Sequence, residues 1–433
     1  MESTNTTQGN AAQSLRTSAS EALIPHLFRM EFTKIAAVLC KLFGIDHIEV
    51  AEDIAGETFL AALETWPYKG VPPNPTAWLY AIAKNKTKNY LHRNQIYTGK
   101  VMPRLKQESN EQSLTGEPVE PEIDLSEKNI TDSQLQMLFA VCHPTLPTEA
   151  QICLALRILC GFGIDEIANA FLSNKETINK RLFRAKEKLR SERKPIGFPP
   201  AAEIGQRLET VLLTLYLLYN EGYYSESQDA VLREDLCQEA MRLTYQLIQN
   251  ESTNRPEVNA LFSLMCFHAS RFPARKDENG EIVLYADQDE ALWDQTLIAK
   301  GAYHLHQASQ GNTLSKYHLE ASIAWWHTIK TDSKEKWENI LQLYNRLLQI
   351  AYSPIAALNR TYALSKANGK QEAIVAAEQL KLTDNPYYYT LLGELYRDID
   401  KGKVLSHLKT ALTLARTKTD RKLIQRKLDS LEK

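Results

Sequence analysis

No run of about eighteen consecutive apolar residues occurs anywhere in this 433-residue chain, so no membrane span is expected. Residues 1–20 are rich in Ser, Thr, Gln and Asn and contain no apolar stretch of the kind a secretory leader needs. The six cysteines (40, 142, 153, 160, 237, 266) form no CxxC pair, and several lie in apolar helical runs. Thiols so placed act as small hydrophobes in a reducing compartment, which points to the cytoplasm. Overall basicity is also missing: the net charge is −2, and residues 1–200 carry 23 Lys and Arg against 23 Asp and Glu. Contact with nucleic acid must therefore come from local patches.

Paired metal-ligand spacings are absent too. Cys266 with His268, His304 with His306, and Cys142 with His143 recur in no second motif, so they read as core or surface residues. No metal, cofactor or catalytic residue is expected, and the chain is not read as an enzyme. Asp287, Asp289 and Asp294, and the pair Arg271 and Arg275, read first as ion pairs and caps and second as a ligand or anion pocket. Repeated strand-like alternation is lacking; DENGEIVLYADQD alone suggests a turn, at Glu278-Asn279-Gly280, beside a short extended piece. With 43% hydrophobic and 24% charged residues, the chain is long enough for two or three globular domains, and the fold class expected is all-α.

What is present begins with Ile164–Arg190, IDEIANAFLSNKETINKRLFRAKEKLR. Ile164, Ile167, Ala168 and Phe171 recur at helical spacing, with Asp165 and Glu166 at the positive end of that helix. Asn174 is a good cap for a second helix starting at Lys175. In that helix Ile178, Leu182, Ala185 and Leu189 share one face, leaving Lys175, Glu176, Asn179, Lys180, Arg184 and Glu187 outward. Nine Lys or Arg against three Glu lie between 175 and 194, an excess suited to phosphates. The pattern is a helix-turn-helix; its bland counterpart is a solvated amphipathic hairpin.

Upstream, Glu21–Phe43 and His47–Trp66 read as helices, the second with Ile54, Phe59, Ala62, Leu63 and Trp66 on its apolar side. WPYKGVPPNP reads as a loop, after which Asn74 can cap and Pro75 open a third helix through Arg93. That helix begins with core residues Trp78, Leu79, Ile82 and Ala83 and turns basic at Lys84, Lys86, Lys88, His92 and Arg93; no acid interrupts residues 84–106. Tyr68, Trp78, Tyr90 and Tyr97 are interleaved with this charge, a composition suited to stacking on unpaired bases. Residues 107–132 then reverse sign and read as an acidic linker. Helices resume at about Ser133, with Thr148 expected to cap a helix through Leu159.

Residues 201–433 read as nearly continuous helix. Near the end Leu358, Tyr362, Ile374 and Ala377 have counterparts 34 residues later in Leu392, Tyr396, Leu408 and Ala411, with Asn359 matched by Gly393. A weaker earlier copy includes Ala324, Ile340 and Leu343. This is the period of tetratricopeptide helix pairs. The aromatics Trp325, Trp326, Trp337 and Tyr387–Tyr389 fit repeat core, and alternatively a peptide-binding face.

AEDIAGETFLAALETW followed by NPTAWLYAIAKNKTKNYLHR, then an acidic linker and the helix-turn-helix, resembles the minimal sigma-70 factors of the extracytoplasmic-function type over about residues 20–195. LYLLYNEGYYS, REDLCQEAMRL, HASRFPAR and ALWD resemble the long C-terminal extension of one subgroup. The resemblance implies a disordered tail (1–20), a sigma region 2-like domain (21–106), the acidic linker (107–132), a sigma region 4-like domain (133–195) and a helical extension (201–433) with repeats clearest at about 320–415. It implies core RNA polymerase and promoter DNA as partners. The tetratricopeptide-like pattern makes a peptide or protein a candidate occupant of the repeats, and the size and covalent tether of the extension point to regulation of activity in cis. Glu52, Asp53, Glu57 and Thr58 would face the clamp helices of the largest polymerase subunit; Gly56 stands where a glutamine is usual. The loop from Tyr68 to Asn74, with Lys84, Asn85, Lys88, Asn89, His92 and Arg93, would engage the −10 element, although Lys88 and Asn89 replace an aliphatic residue and an aspartate. Lys175, Glu176, Thr177, Asn179, Lys180, Arg181 and Arg184 would read the −35 element. The competing reading is a polymerase-independent helix-turn-helix regulator with a helical ligand- or protein-sensing domain; a helical scaffold is a third.

Overall fold

The computed structural model describes residues 4–94, 123–171, 173–192, 196–224, 233–278, 283–415 and 417–432. Among them every regular element is helical. The chain divides into two units, Met1–Thr214 and Leu215–Lys433.

The first unit is built on α1 (Thr4–Phe43), which takes in most of residues 1–20, expected as a disordered tail. No breaker lies between Gly9 and Pro25, and the Ala, Gln and Leu residues there tolerate a helix. Gly44 ends α1 with a φ of 87°, a conformation only glycine takes without strain. A 3-10 turn, Ile45–His47, leads into α2 (Ile48–Lys69), which packs on α1. Ile54, Phe59, Ala62 and Trp66 are buried as the periodicity predicts, but Leu63 is 51% exposed. It lies outside the stripe that Ile54, Thr58, Ala62 and Trp66 define at four-residue spacing.

α2 also runs one turn into the segment expected to be loop, passing Pro67 before the Gly70 N–H closes on the Trp66 carbonyl at 2.9 Å. Trp66 is buried and meets Trp78 edge-on at 5.4 Å, which fixes the backbone there. Asn74 caps α3 (Pro75–Asn94), its Oδ1 accepting the Ala77 N–H at 3.0 Å.

Lys100, Arg104, Lys106, Tyr97 and most of the acidic linker lie outside the described residues. Where description resumes, α4 (Glu127–Val141) begins before the Ser133 start expected for it. The Ser126 hydroxyl accepts the Asn129 N–H at 3.4 Å, and Asp124 accepts the Ser126 N–H at 2.8 Å. Side chains that satisfy the first amides start a helix even in acid-rich surroundings. α5 (Thr148–Leu154) widens into a π turn, Ala155–Leu159, ahead of α6 (Ile164–Ala170) and α7 (Lys175–Glu192).

α8 (Ile204–Tyr224) carries the chain into the second unit. After α9 (Glu234–Gln249), α10 (Pro256–Ala269) is buried from Val258 to Phe267 and is the centre of this part. α11 (Gln295–Ala308) lies close against it because Gly301 has no side chain: a Cβ there would stand 2.7 Å from the Phe267 ring. The extended piece expected near residues 277–289 reduces, in its described part, to one backbone bond, Val283 N–H to Arg275 carbonyl at 2.9 Å, followed by 3-10 turns Tyr285–Asp287 and Glu290–Leu292.

Seven helices complete the unit: α12 (Lys316–Trp326), α13 (Lys334–Ile350), α14 (Pro354–Ala367), α15 (Lys370–Leu380), α16 (Pro386–Tyr396), α17 (Lys401–Leu414) and α18 (Lys418–Glu432). They share one core from Leu319 to Leu428. The 34-residue register appears in it directly, since Ala324, Leu358 and Leu392, Ile340, Ile374 and Leu408, and Ala377 and Ala411 are all buried. Gly393 permits the close approach of α16 to α17, where a Cβ would reach Leu408 at 3.0 Å. Tyr396 is buried while its counterpart Tyr362 is 42% exposed and meets Trp337 edge-on.

Candidate nucleic-acid interface

The two helices of the expected helix-turn-helix are set by local chemistry. Glu166 accepts the Gly163 N–H at 2.7 Å and so caps α6. Asn174 accepts the Thr177 N–H at 2.7 Å and caps α7. Ile178, Leu182, Ala185 and Leu189 are buried, which turns the opposite face outward. On that face Lys175, Glu176, Thr177, Asn179, Lys180 and Arg184 are exposed. Lys175 pairs with Asp165 at 2.6 Å and Lys180 with Glu176 at 2.6 Å, both well exposed and therefore weak. Arg181 departs from this set: it is half-buried and its Nη1 donates toward Cys153 Sγ on α5 at 3.7 Å.

The second half of α7 turns to α2. Lys186 Nζ lies 2.8 Å from Glu52 and 3.6 Å from Glu49, and Arg157 Nε lies 3.1 Å from Glu52. Arg190 bridges Glu49 and Glu187. The Glu52 and Lys186 side chains are only 11% and 12% exposed. Burial raises the pKa of Glu49, but its helix-start backbone N–H bond and the charges of Lys186 and Arg190 outweigh that and hold it below the usual carboxylate range. Beneath them burial, assisted by Glu52, pushes the Cys40 thiol far up. No local signal in the sequence announces this cluster.

Of the other acids on α2, Asp53 and Glu57 are exposed, with Glu57 paired to Lys86 of α3 at 2.8 Å. Thr58 is fully buried and donates to the Ile54 carbonyl at 2.8 Å. On α3, Asn85, Asn89, His92 and Arg93 are exposed and Lys84 and Lys88 half-buried. Asn74 is exposed, and Tyr68, at the end of α2 and not in a loop, is 73% exposed. Trp78 and Tyr90 instead lean on Trp66 and Phe43. Among the described aromatics of the expected stacking set, Tyr68 alone presents its ring to solvent.

In the repeats, Trp337 and Tyr388 are buried, Trp325, Trp326 and Tyr389 half-buried, and Tyr387 is 41% exposed. Two of the histidines beside cysteine or histidine in the sequence are used locally: His304 bonds Asn259 and His143 bonds Thr145, each at 2.8 Å. Among the described residues no helix is long and apolar enough to cross a membrane.

Residues 28–96 match sigma-70 region 2 and residues 136–189 match sigma-70 region 4. An ECF RNA polymerase sigma-E factor of Haemophilus influenzae is 28% identical over 167 residues, covering 38% of this chain and 83% of that protein. The chain belongs to the extracytoplasmic-function sigma-70 factors. Beyond the sigma regions, residues 207–309 match a family of unknown function (DUF6596). An uncharacterized protein of Rhizobium meliloti is 30% identical over 398 residues, covering 89% of this sigma factor and 90% of that protein, so the likeness extends through the C-terminal extension. No solved structure matches.

Proposed function

We propose that this sigma factor binds core polymerase, directs it to promoters through −35 and −10 elements, and is controlled in cis by its C-terminal extension. The observation that supports this most directly is the exposed face of α7, where Lys175, Asn179, Lys180 and Arg184 stand clear of the core behind an Asn174-capped start. A capped helix with base-reading and phosphate-binding side chains on one face suits the major groove. Lys175, Lys180 and Arg184 position it on phosphates, while Glu176, Thr177 and Asn179 discriminate bases. Arg181, held toward Cys153, supports the helix and reaches the backbone only by moving.

At the −10 element Tyr68, Asn74, Lys84, Asn85, Lys88, Asn89, His92 and Arg93 hold a separated strand by stacking and charge. No bond is made or broken; strand opening is maintained by capture of unpaired bases. Asp53 and Glu57 offer accessible charge to the polymerase clamp, whereas Glu52 is available only after its pairs with Lys186 and Arg157 open. Engagement of polymerase therefore competes with the α2–α7 ion pairs. The polymerase-bound sigma factor is the open one.

The test is run-off transcription with purified core polymerase, this protein and a library of promoter fragments, sequenced from the transcripts. Transcripts sharing −35 and −10 motifs are the expected result. DNA binding that needs no polymerase, with no transcripts from full-length or truncated protein, would overturn the proposal in favour of the polymerase-independent regulator. A chain ending near residue 200 should give altered output in the same assay; unchanged output would remove the regulation in cis.

A further inference from the structure

One cluster in the second unit is used by none of this. It gathers at the end of α10, where the HASRFPAR segment supplies His268, Arg271 and Arg275 beside Tyr223 of α8, Tyr285 and Lys336 of α13. The Arg275 guanidinium lies over the Tyr223 ring at 4.0 Å. Arg271 and Lys336 both cover the Tyr285 ring, at 5.4 and 5.5 Å. Arg271 is 9% exposed and donates to the Tyr223 hydroxyl at 3.2 Å; Lys336 is 1% exposed and donates to the Tyr285 hydroxyl at 3.2 Å and to the Ile329 carbonyl.

Three cations are thus gathered around two rings, and among the described residues none forms an ion pair with a carboxylate. The carboxylate nearest in effect, Asp332, is already paired with Lys366 at 2.8 Å and with the Trp337 indole. Buried side-chain nitrogens are left over: Arg275 Nη1, an N–H donor, and His268 Nδ1 are shielded from solvent and have no hydrogen-bond partner. Burial, then the charges of Arg271 and Arg275, hold the His268 pKa well below its ordinary value, so its ring is neutral.

Burying like charges without a counter-charge is strongly unfavourable, and a structural network normally includes its own acid. Stacking a guanidinium on an aromatic ring occupies its face and leaves its N–H edge for a planar or tetrahedral oxyanion. A structure that concentrates cations, fixes them on rings and leaves N–H groups unused has the chemistry of an anion site.

We propose that Arg271, Arg275, Lys336 and His268 form a binding site for a small oxyanion, a phosphate- or carboxylate-bearing metabolite, in the C-terminal extension. This does not rest on the promoter-binding assignment and stands or falls separately from it. A ligand there would stabilise the extension by mass action.

The test is thermal denaturation of the full-length protein titrated with sodium phosphate and, separately, sodium citrate, against sodium chloride at equal ionic strength. A saturable rise in the midpoint with one anion and none with chloride is expected; which anion acts tells phosphate from carboxylate recognition. Arg275→Gln should abolish the saturable response while leaving the ligand-free midpoint equal to or above wild type, because a cation with no carboxylate partner among the described residues has been removed. Arg275→Lys keeps the charge without the fork and should weaken apparent affinity by about tenfold, which decides the matter if the glutamine variant does not fold. No saturable response in the wild type to either anion overturns the proposal, as does an Arg275→Gln or Arg275→Lys variant that responds like wild type. A ligand-free midpoint of Arg275→Gln well below wild type would assign the arginine to structure and overturn it too.

Discussion

Lys186→Met separates the two demands placed on α2. The substitution keeps most of the aliphatic stem and removes the ammonium that sits 2.8 Å from Glu52 and 3.6 Å from Glu49. Each unit-charge pair at about 4 Å is worth about 4 kcal/mol at an effective dielectric of about 20. Desolvation of the partners takes back most of this, and Glu49 is 47% exposed, so its share is further screened. Arg157 remains on Glu52 at 3.1 Å, so the carboxylate is not left bare. A net loss of about 1–2 kcal/mol is expected, or about 2–8 °C in the midpoint of a unit this size. The same loss should favour the open form, raising affinity for core polymerase by about five- to thirtyfold, since about 1.4 kcal/mol is one decade. The assays are thermal denaturation and polymerase binding without DNA, so that lost phosphate contacts do not enter. A lower midpoint with unchanged or weaker polymerase affinity would refute the competition between closure and polymerase; an unchanged midpoint would show that the ion pairs carry no energy.

Gly56→Gln should stabilise α2 by about 0.5–1 kcal/mol, because a glycine is lost from a helix interior and a Cβ there meets nothing within 4 Å; tighter polymerase binding should accompany it, and a lower melting midpoint would contradict the open space. Asn174→Ala should cost about 1 kcal/mol through loss of the α7 cap, read by denaturation and by weaker promoter binding at all sequences alike. Asn179→Ala should relax preference at one −35 position by about 1–3 kcal/mol while Lys180→Ala weakens every promoter similarly; equal loss on all variants for Asn179→Ala removes its role as a base reader. Burial and the Lys300 charge push His304 down to about 4, and burial with the Arg271 and Lys336 charges pushes His327 down to about 3. A folded pKa below the unfolded value of about 6.5 gives stability that is complete above that pH and lost as pH falls toward 4. Denaturation from pH 7.5 to 4 checks this, and a His327→Phe variant should show a shallower fall.

What the sequence made legible is what local chemistry decides. Asn74 and Asn174 each sit one residue before a helix and cap it, the Ile178–Leu189 stripe is buried, and the 34-residue register recurs as matched buried positions. The start of α4 is masked by an acid-rich composition that hides the Asp124–Ser126 cap, and the end of α2 by Pro67, which reads as a breaker although the burial of Trp66 carries the helix past it. The pairing of Glu49 and Glu52 with Lys186 and Arg190 was invisible for another reason. More than 130 residues separate Glu52 from Lys186, and no periodicity links side chains so far apart. Arg181 looked like its exposed neighbours because a half-turn of helix separates a groove reader from a residue leaning on Cys153.

The repeat half differs from the sigma regions in how it tolerates change in length. Each layer of α12–α17 presses on the layers before and after it, with small residues such as Gly393 and Ala411 at the joints, and α18 closes the end. Gain or loss of one whole layer leaves the remaining joints as they were. Length here can therefore change in steps of one whole repeat, whereas an insertion between α6 and α7 would displace one helix from the other.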